Sequence, residues 1–210
     1  MKKHSFSPET QMMGYGYKPQ LSEGAVKCPV FHTSTFVFKK AQDGKDFFAM
    51  AYGKAPYDQK HMGLIYSRLN NPDMEILEDR LKLWDEGEAA AVFSSGMSAI
   101  TTTFMTYLKP GDVLLFSNPL YGGTHEFIHH VLDQYGITGI GFRPDDREDE
   151  IVELLDQHSA GGKLKMIFIE TPANPTNDVI DIEMCSRLAA RYSTTDRKVM
   201  LAVDNTYMGP

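Results

Sequence analysis

The spacing of apolar residues changes near Asn71. Before it, Gly and Pro are scattered (Gly14, Gly16, Pro19, Gly24, Pro29) and helical period is weak; the one ordered pattern is the apolar–polar stretch Thr33-Ser34-Thr35-Phe36-Val37-Phe38. This predicts an extended arm over residues 1–60, with a flexible polar loop around 54–61. An arm with no core of its own is expected to lie on another surface, often a neighbouring subunit; a frayed terminus is the plainer alternative.

From Asn71 onward the pattern is regular, and residues 61–210 are expected to form one layered domain. Asn71-Pro72 marks a helix start, because Asn caps free amides and Pro suits the first helical position. Asp73 and Glu75 favour the positive end of the helix dipole, and Leu77, Leu81 and Trp84 follow at helical spacing. The apolar run 89–93 is short enough for a buried strand, and Ser94-Ser95-Gly96 breaks it. Met97, Ile100, Phe104 and Tyr107 form the next helical stripe, closed by Lys109-Pro110-Gly111. Further strands are predicted over 112–116, 137–142, 164–169 and 199–203. Helices are predicted over 124–135, with Phe127, Ile128, Val131, Leu132 and Tyr135 inward, around Ile151, Leu154 and Leu155, and over 183–192. Strand–helix alternation with short loops predicts an α/β fold built on a mostly parallel sheet.

Composition narrows the function classes. A hydrophobic fraction of 42% over 210 residues supports a buried core and excludes a disordered tail. The balance of 28 Asp+Glu against 21 Lys+Arg argues against a nucleic-acid partner or an anionic membrane face. No apolar stretch is long enough to span a bilayer. The start has two lysines but no apolar run behind them, so no secretory signal is expected and the cytoplasm is the expected compartment. Cys28 and Cys185 suggest neither a disulfide framework nor a metal site.

In open α/β sheets ligands bind beyond the carboxyl ends of the strands. Four polar clusters follow apolar runs: Ser94-Ser95-Gly96-Met97; the loop with Asn118, Tyr121, Gly122 and Gly123; Glu170-Thr171-Pro172-Ala173-Asn174-Pro175; and Asp204-Asn205-Thr206-Tyr207. All should face one edge and describe one pocket. Gly96 and Met97 at a helix mouth would offer bare amides to an anion, although Ser-Gly before a helix is more often only a cap. Tyr121 offers a flat ring, or ordinary packing. Asp204 and Glu170 end apolar strands, where a carboxylate wants a cation or a donor; capping is the alternative. Asn174 between two prolines would orient a ligand or make a turn. Tyr66-Ser67-Arg68, outside the sheet, pairs a hydroxyl with a rigid fork of donors suited to a phosphate, or is a surface arginine. The Ser-Ser-Gly-Met loop lacks the spaced glycines of a dinucleotide fingerprint.

Taken in order, these segments resemble the Cys/Met-metabolism enzymes that use pyridoxal 5′-phosphate (PLP), which include cystathionine γ-synthase, the cystathionine lyases, methionine γ-lyase and the O-acyl-homoserine sulfhydrylases. The matching stretches are Tyr66-Ser67-Arg68, Ser95-Gly96-Met97, Leu120-Tyr121-Gly122-Gly123-Thr124, Glu170 through Thr176 and Val203-Asp204-Asn205-Thr206. The arm stretch 29–36 looks like the family's N-terminal segment. The resemblance implies the large domain of an aspartate-aminotransferase-like (type I) fold, with helices on both faces of the sheet. It implies that Gly96 and Met97 hold the cofactor phosphate and that Tyr66 and Arg68 reach it from a neighbouring subunit, in a homodimer or homotetramer with shared sites. Tyr121 would stack on the pyridine ring and act on the substrate. Asp204 would pair with the ring nitrogen, which makes the ring an electron sink. Asn174 would touch the ring hydroxyl oxygen, Glu170 would support the pocket, and Thr206 would lie near the ring. The implied activity is elimination or replacement at the γ- or β-carbon of methionine, cystathionine, cysteine or an O-acyl-homoserine.

The family's PLP-anchoring lysine lies beyond the Asp-Asn-Thr motif, in a Ser-x-Thr-Lys type segment, and the sequence stops at Pro210 ahead of any such segment. The expectation is therefore part of a longer enzyme, its 210 residues inactive alone and exposing a strand edge. The alternative is a non-catalytic fragment or pseudoenzyme that binds PLP or a partner chain. Methionine γ-lyases typically carry a cysteine where this chain has Gly123, which weighs against that subgroup. The stretch 52–62 looks longer than in the common cystathionine enzymes and would line a substrate entrance.

Overall fold

The computed structural model describes residues 6–56, 58 and 63–209. The expected loop at 54–61 and the stretch 52–62 thus lie partly outside the described residues. The chain divides into two compact units, Met1–Val92 and Phe93–Pro210.

The first unit contains α1 (Pro8–Met12), a 3-10 turn at Pro19–Ser22, α2 (Ala41–Ala51) and α3 (Pro72–Leu81). α3 begins as the sequence predicts: Asn71 is extended and its side chain accepts from the Asp73 amide at 2.9 Å, with Pro72 in the first turn. Asp73 also accepts from the Phe31 amide at 2.8 Å, and Asn71 Nδ2 donates to the Phe31 carbonyl at 3.1 Å. The arm is therefore stitched to α3 of its own unit. An isolated antiparallel bridge, Thr35 to Tyr66, adds a second tie. α3 stops at Leu81, so Trp84 falls in the turn after it rather than on the helix. The arm is not extended throughout: it also holds two helices the sequence pattern does not predict, α1 and α2. Gly44 interrupts α2 at a cost to helix propensity, and its apolar residues bunch at one end. Packing overrides this: Phe47 is buried and its ring lies 5.9 Å from Phe38.

The second unit holds α4 (Gly96–Tyr107), β1 (Val113–Ser117), α5 (Gly122–Glu126), β2 (Thr138–Phe142), α6 (Glu148–Gln157), β3 (Leu164–Glu170), α7 (Ile182–Tyr192) and β4 (Met200–Asp204). The four strands pair in parallel in the order β2-β1-β3-β4. α5 runs on through a π turn at Phe127–Leu132 and a 3-10 turn at Asp133–Tyr135, closed by Gly136 at a φ of 70°. Tyr135 faces out, 54% exposed, not inward as the spacing predicts; the π and 3-10 turns break the regular 3.6-residue phase.

Helices cover both faces of the sheet. Leu115, Ile140, Phe142, Ile167 and Ile169 meet Ile151 and Leu155 of α6 and Cys185 and Leu188 of α7. On the opposite face Leu114, Phe116, Met166 and Phe168 meet Phe104 of α4 and Ile128 and Leu132. Strands covered on both faces carry unbroken apolar runs, which explains why β1 and β3 are so visible in the sequence.

One predicted strand is absent. Residues 89–93 are irregular and partly exposed, with Phe93 at 41%. An apolar run becomes a strand only where a neighbour completes its hydrogen-bond ladder. Here the Val92 amide donates to the Glu78 carboxylate at 2.9 Å instead.

Candidate active site

The carboxyl ends of the strands open into a cavity of about 350 Å³, lined by Ser95, Gly96 and Met97, Tyr121, Glu170 and Asn174, and Asp204, Thr206 and Tyr207, with Ile100 and Pro172 between them. This volume falls within the range of roughly 300–1,000 Å³ common for small-molecule sites. Seven residues singled out from the sequence thus meet at one place. Tyr66 and Arg68 belong to the first unit, where the Arg68 guanidinium lies 4.7 Å over the Tyr66 ring.

One wall is the start of α4. Ser95 caps it, accepting from the Ser98 amide at 3.0 Å, while the Ala99 amide reaches the Ser95 carbonyl at 3.1 Å. The Gly96 and Met97 amides precede the first intrahelical bond and so have no acceptor within the helix. Together with the helix dipole such amides can seat an anion.

Tyr121 follows β1 and caps α5 with its backbone: its carbonyl accepts from the Thr124 and His125 amides, both at 3.0 Å. Its side chain is 47% exposed. Gly123 lies beneath it. A Cβ there would stand 2.8 Å from Tyr121 Cε1 and 3.2 Å from Met97 Sδ. The backbone at Gly123 is ordinary helix, so space rather than conformation calls for glycine.

Glu170 ends β3 and is 4% exposed. Its Oε2 accepts from the Tyr121 amide at 2.8 Å and its Oε1 from the Asn174 amide at 2.6 Å. Both oxygens are occupied by backbone donors, so the carboxylate supports the cavity wall rather than pointing a free group into it. Asn174 keeps its side-chain amide without a partner among the described residues.

Asp204 ends β4. Its Oδ1 accepts from the Thr206 amide at 3.0 Å and from Thr206 Oγ1 at 2.5 Å. Among the described residues its Oδ2 has no partner. Thr206 therefore acts on Asp204, fixing its carboxylate. The lining residues Ile100 and Tyr207 carry no role in the sequence reading. Ile100 shows there only as one of a helical stripe, and Tyr207 only as the residue after Thr206.

A pocket at this edge of a parallel α/β sheet is where such folds take small ligands. Comparison with known proteins gives the class: the chain belongs to the Cys/Met metabolism PLP-dependent enzyme family, which it matches over residues 9–210. It is 33% identical over 210 residues to an L-methionine gamma-lyase of Pseudomonas deceptionensis, covering 100% of this chain and 48% of that protein. A sulfhydrylase of Fusarium oxysporum f. sp. lycopersici is 32% identical over 94% of this chain and 41% of its own length. Among solved structures, an O-acetylhomoserine (thiol)-lyase from Campylobacter jejuni, containing N′-pyridoxyl-lysine-5′-monophosphate, superposes with a TM-score of 0.78 at 27% identity. That match covers 96% of this chain and 44% of the neighbour. The chain spans about half the length of the curated relatives it matches.

PLP is the cofactor of this family, and the cavity suits it. Its lining includes free helix-start amides, a half-exposed aromatic ring and, at the end of β4, a carboxylate oxygen without a partner among the described residues. Among the described residues no helix is long and apolar enough to cross a membrane, and no group of three or more His, Cys, Asp or Glu is placed to hold a metal.

Proposed function

We propose that this chain supplies the cofactor seat of a PLP-dependent lyase or transferase of sulfur amino-acid metabolism. It would act on a small amino-acid substrate (methionine, cystathionine, cysteine or an O-acyl-homoserine) at the γ- or β-carbon. The observation that carries this is the convergence of α4's bare amides, Tyr121, Asn174 and Asp204 on one cavity in a chain of this family.

When bound, PLP supplies an electron sink for a carbanion at the substrate α-carbon. The residues have distinct tasks. Gly96 and Met97 hold the phosphate through their amides. Asp204 Oδ2 takes the ring N–H, and Thr206 keeps that carboxylate aimed. Asn174 donates to the ring hydroxyl oxygen. Tyr121 would cover one face of the ring, and its phenol would hold or move a proton at the substrate amine or leaving group. Tyr66 and Arg68 would complete the phosphate seat from a neighbouring subunit, which makes the enzyme a homodimer or homotetramer.

The test is a substrate panel on the enzyme made from the complete reading frame. Elimination consumes water and releases a 2-oxo acid, ammonia and a thiol or sulfide; replacement gives a new thioether and acetate from O-acetylhomoserine and a thiol. Turnover of at least one of these substrates is expected. A protein that binds PLP and turns over none of them would favour the non-catalytic alternative.

A further inference from the structure

We infer that Glu170 is the positioning residue that sets the separation of Tyr121 and Asn174 across the cofactor cavity. The inference rests on the PLP reading of that cavity. Glu170 is a buried carboxyl side chain, 4% exposed, and among the described residues no cation pairs with it. Burying such a group without a counter-charge is costly, so packing alone does not explain it; a Met or Leu would fill the space without that penalty.

Its partners explain it. One oxygen holds the Tyr121 amide at 2.8 Å and the other the Asn174 amide at 2.6 Å. These two residues sit on different loops, one after β1 and one after β3, and face the same cavity. The Glu170 backbone is itself pinned: its amide donates to Ser117 Oγ at 3.0 Å at the end of β1. The adjoining Thr171 amide donates to the Asp204 carbonyl at 2.9 Å. The Glu170 side chain therefore joins the two loops. No neutral residue of this length accepts a hydrogen bond at two ends. Glutamine has one carbonyl oxygen, and its NH₂ would oppose the other loop's N–H, donor against donor.

The test uses the full-length enzyme with Glu170→Gln and a control, Ser117→Ala. The control removes the bond to the Glu170 backbone but leaves both loop bonds. Three quantities are read: the PLP dissociation constant of the apoenzyme, the visible circular dichroism per bound PLP, and the thermal midpoint. Glu170→Gln is expected to raise the PLP dissociation constant by at least about tenfold, the scale of one lost bond with its donor stranded, and to weaken the visible dichroism. Ser117→Ala is expected to lower the midpoint while keeping both cofactor readouts within about twofold. Unchanged affinity and dichroism in Glu170→Gln would overturn the inference. So would equal cofactor losses in both variants in step with their midpoints, which is the behaviour of a merely structural residue. If Glu170→Gln does not fold, Glu170→Asp keeps the charge but is one methylene short of spanning both loops, and the same outcomes apply. A wild-type enzyme that binds no PLP would overturn the cofactor reading instead.

Discussion

Asp204 and Tyr121 bring different chemistry to the cavity, and single substitutions separate them. Thr206 holds Asp204 Oδ1 through two bonds, which leaves Oδ2 free to meet a cationic ring nitrogen. Asp204→Asn removes a charge-assisted bond worth about 1.5–3 kcal/mol. It should lower kcat/KM by roughly ten- to a hundredfold and weaken PLP binding, measured by steady-state kinetics and cofactor titration. Tyr121→Phe keeps the ring and loses the hydroxyl, so it should hold PLP affinity within about twofold while kcat falls by roughly a hundredfold, the scale of general acid–base assistance. At Gly123, Gly123→Ala adds a Cβ that meets the edge of the Tyr121 ring. Position 123 lies in the first turn of α5, and the added Cβ would stand 2.8 Å from Tyr121 Cε1 and 3.2 Å from Met97 Sδ, so the thermal midpoint should fall. KM should rise as the ring swings outward. The cysteine expected in methionine γ-lyases would meet the same ring edge.

At the scale of elements, legibility followed burial. β1, β3 and α7 were plain in the sequence because both sheet faces are covered and α7 carries one apolar stripe. The strand expected at 89–93 was not formed, because an apolar run says nothing about whether a neighbour will pair with it. α2 was missed because its Gly and clustered phenylalanines hide the helical period until Phe38 packs on Phe47. The site was legible by position, since residues just past β1, β3 and β4 had to share an edge. The Glu170 bonds to two loop amides and the ring contact at Gly123 were not, because both join positions distant in sequence or depend on side-chain placement. α7 also carries a pH effect. Burial, with Asp181 nearby, pushes the Cys185 thiol up to about 11 from an ordinary 9.0. The unfolded chain gives up this proton from about pH 9, whereas the folded chain keeps it to about pH 11. The stabilisation is therefore full below pH 9 and is lost as pH rises toward 11. Thermal midpoints of wild type and Cys185→Ala should run parallel below pH 9, and the wild-type curve should fall more steeply above it.

For the whole molecule, the chain covers about half of its relatives, and the proposed site draws Tyr66 and Arg68 from a second subunit. Full-length Arg68→Ala and Asp204→Ala enzymes, each nearly inactive, should regain about a quarter of wild-type activity when refolded together, because half of the chains pair as hybrids and each hybrid dimer carries one intact site. Absence of any recovery would place both residues in sites built by a single chain. The most direct test of the central claim, that the cavity beyond β1, β3 and β4 is a PLP seat, is the intact mass of the full-length protein after borohydride reduction with PLP. One reduced pyridoxyl phosphate per chain is predicted, with the yield sharply lower in Asp204→Ala. A wild-type mass with no adduct, or an adduct formed equally well without Asp204, would contradict it.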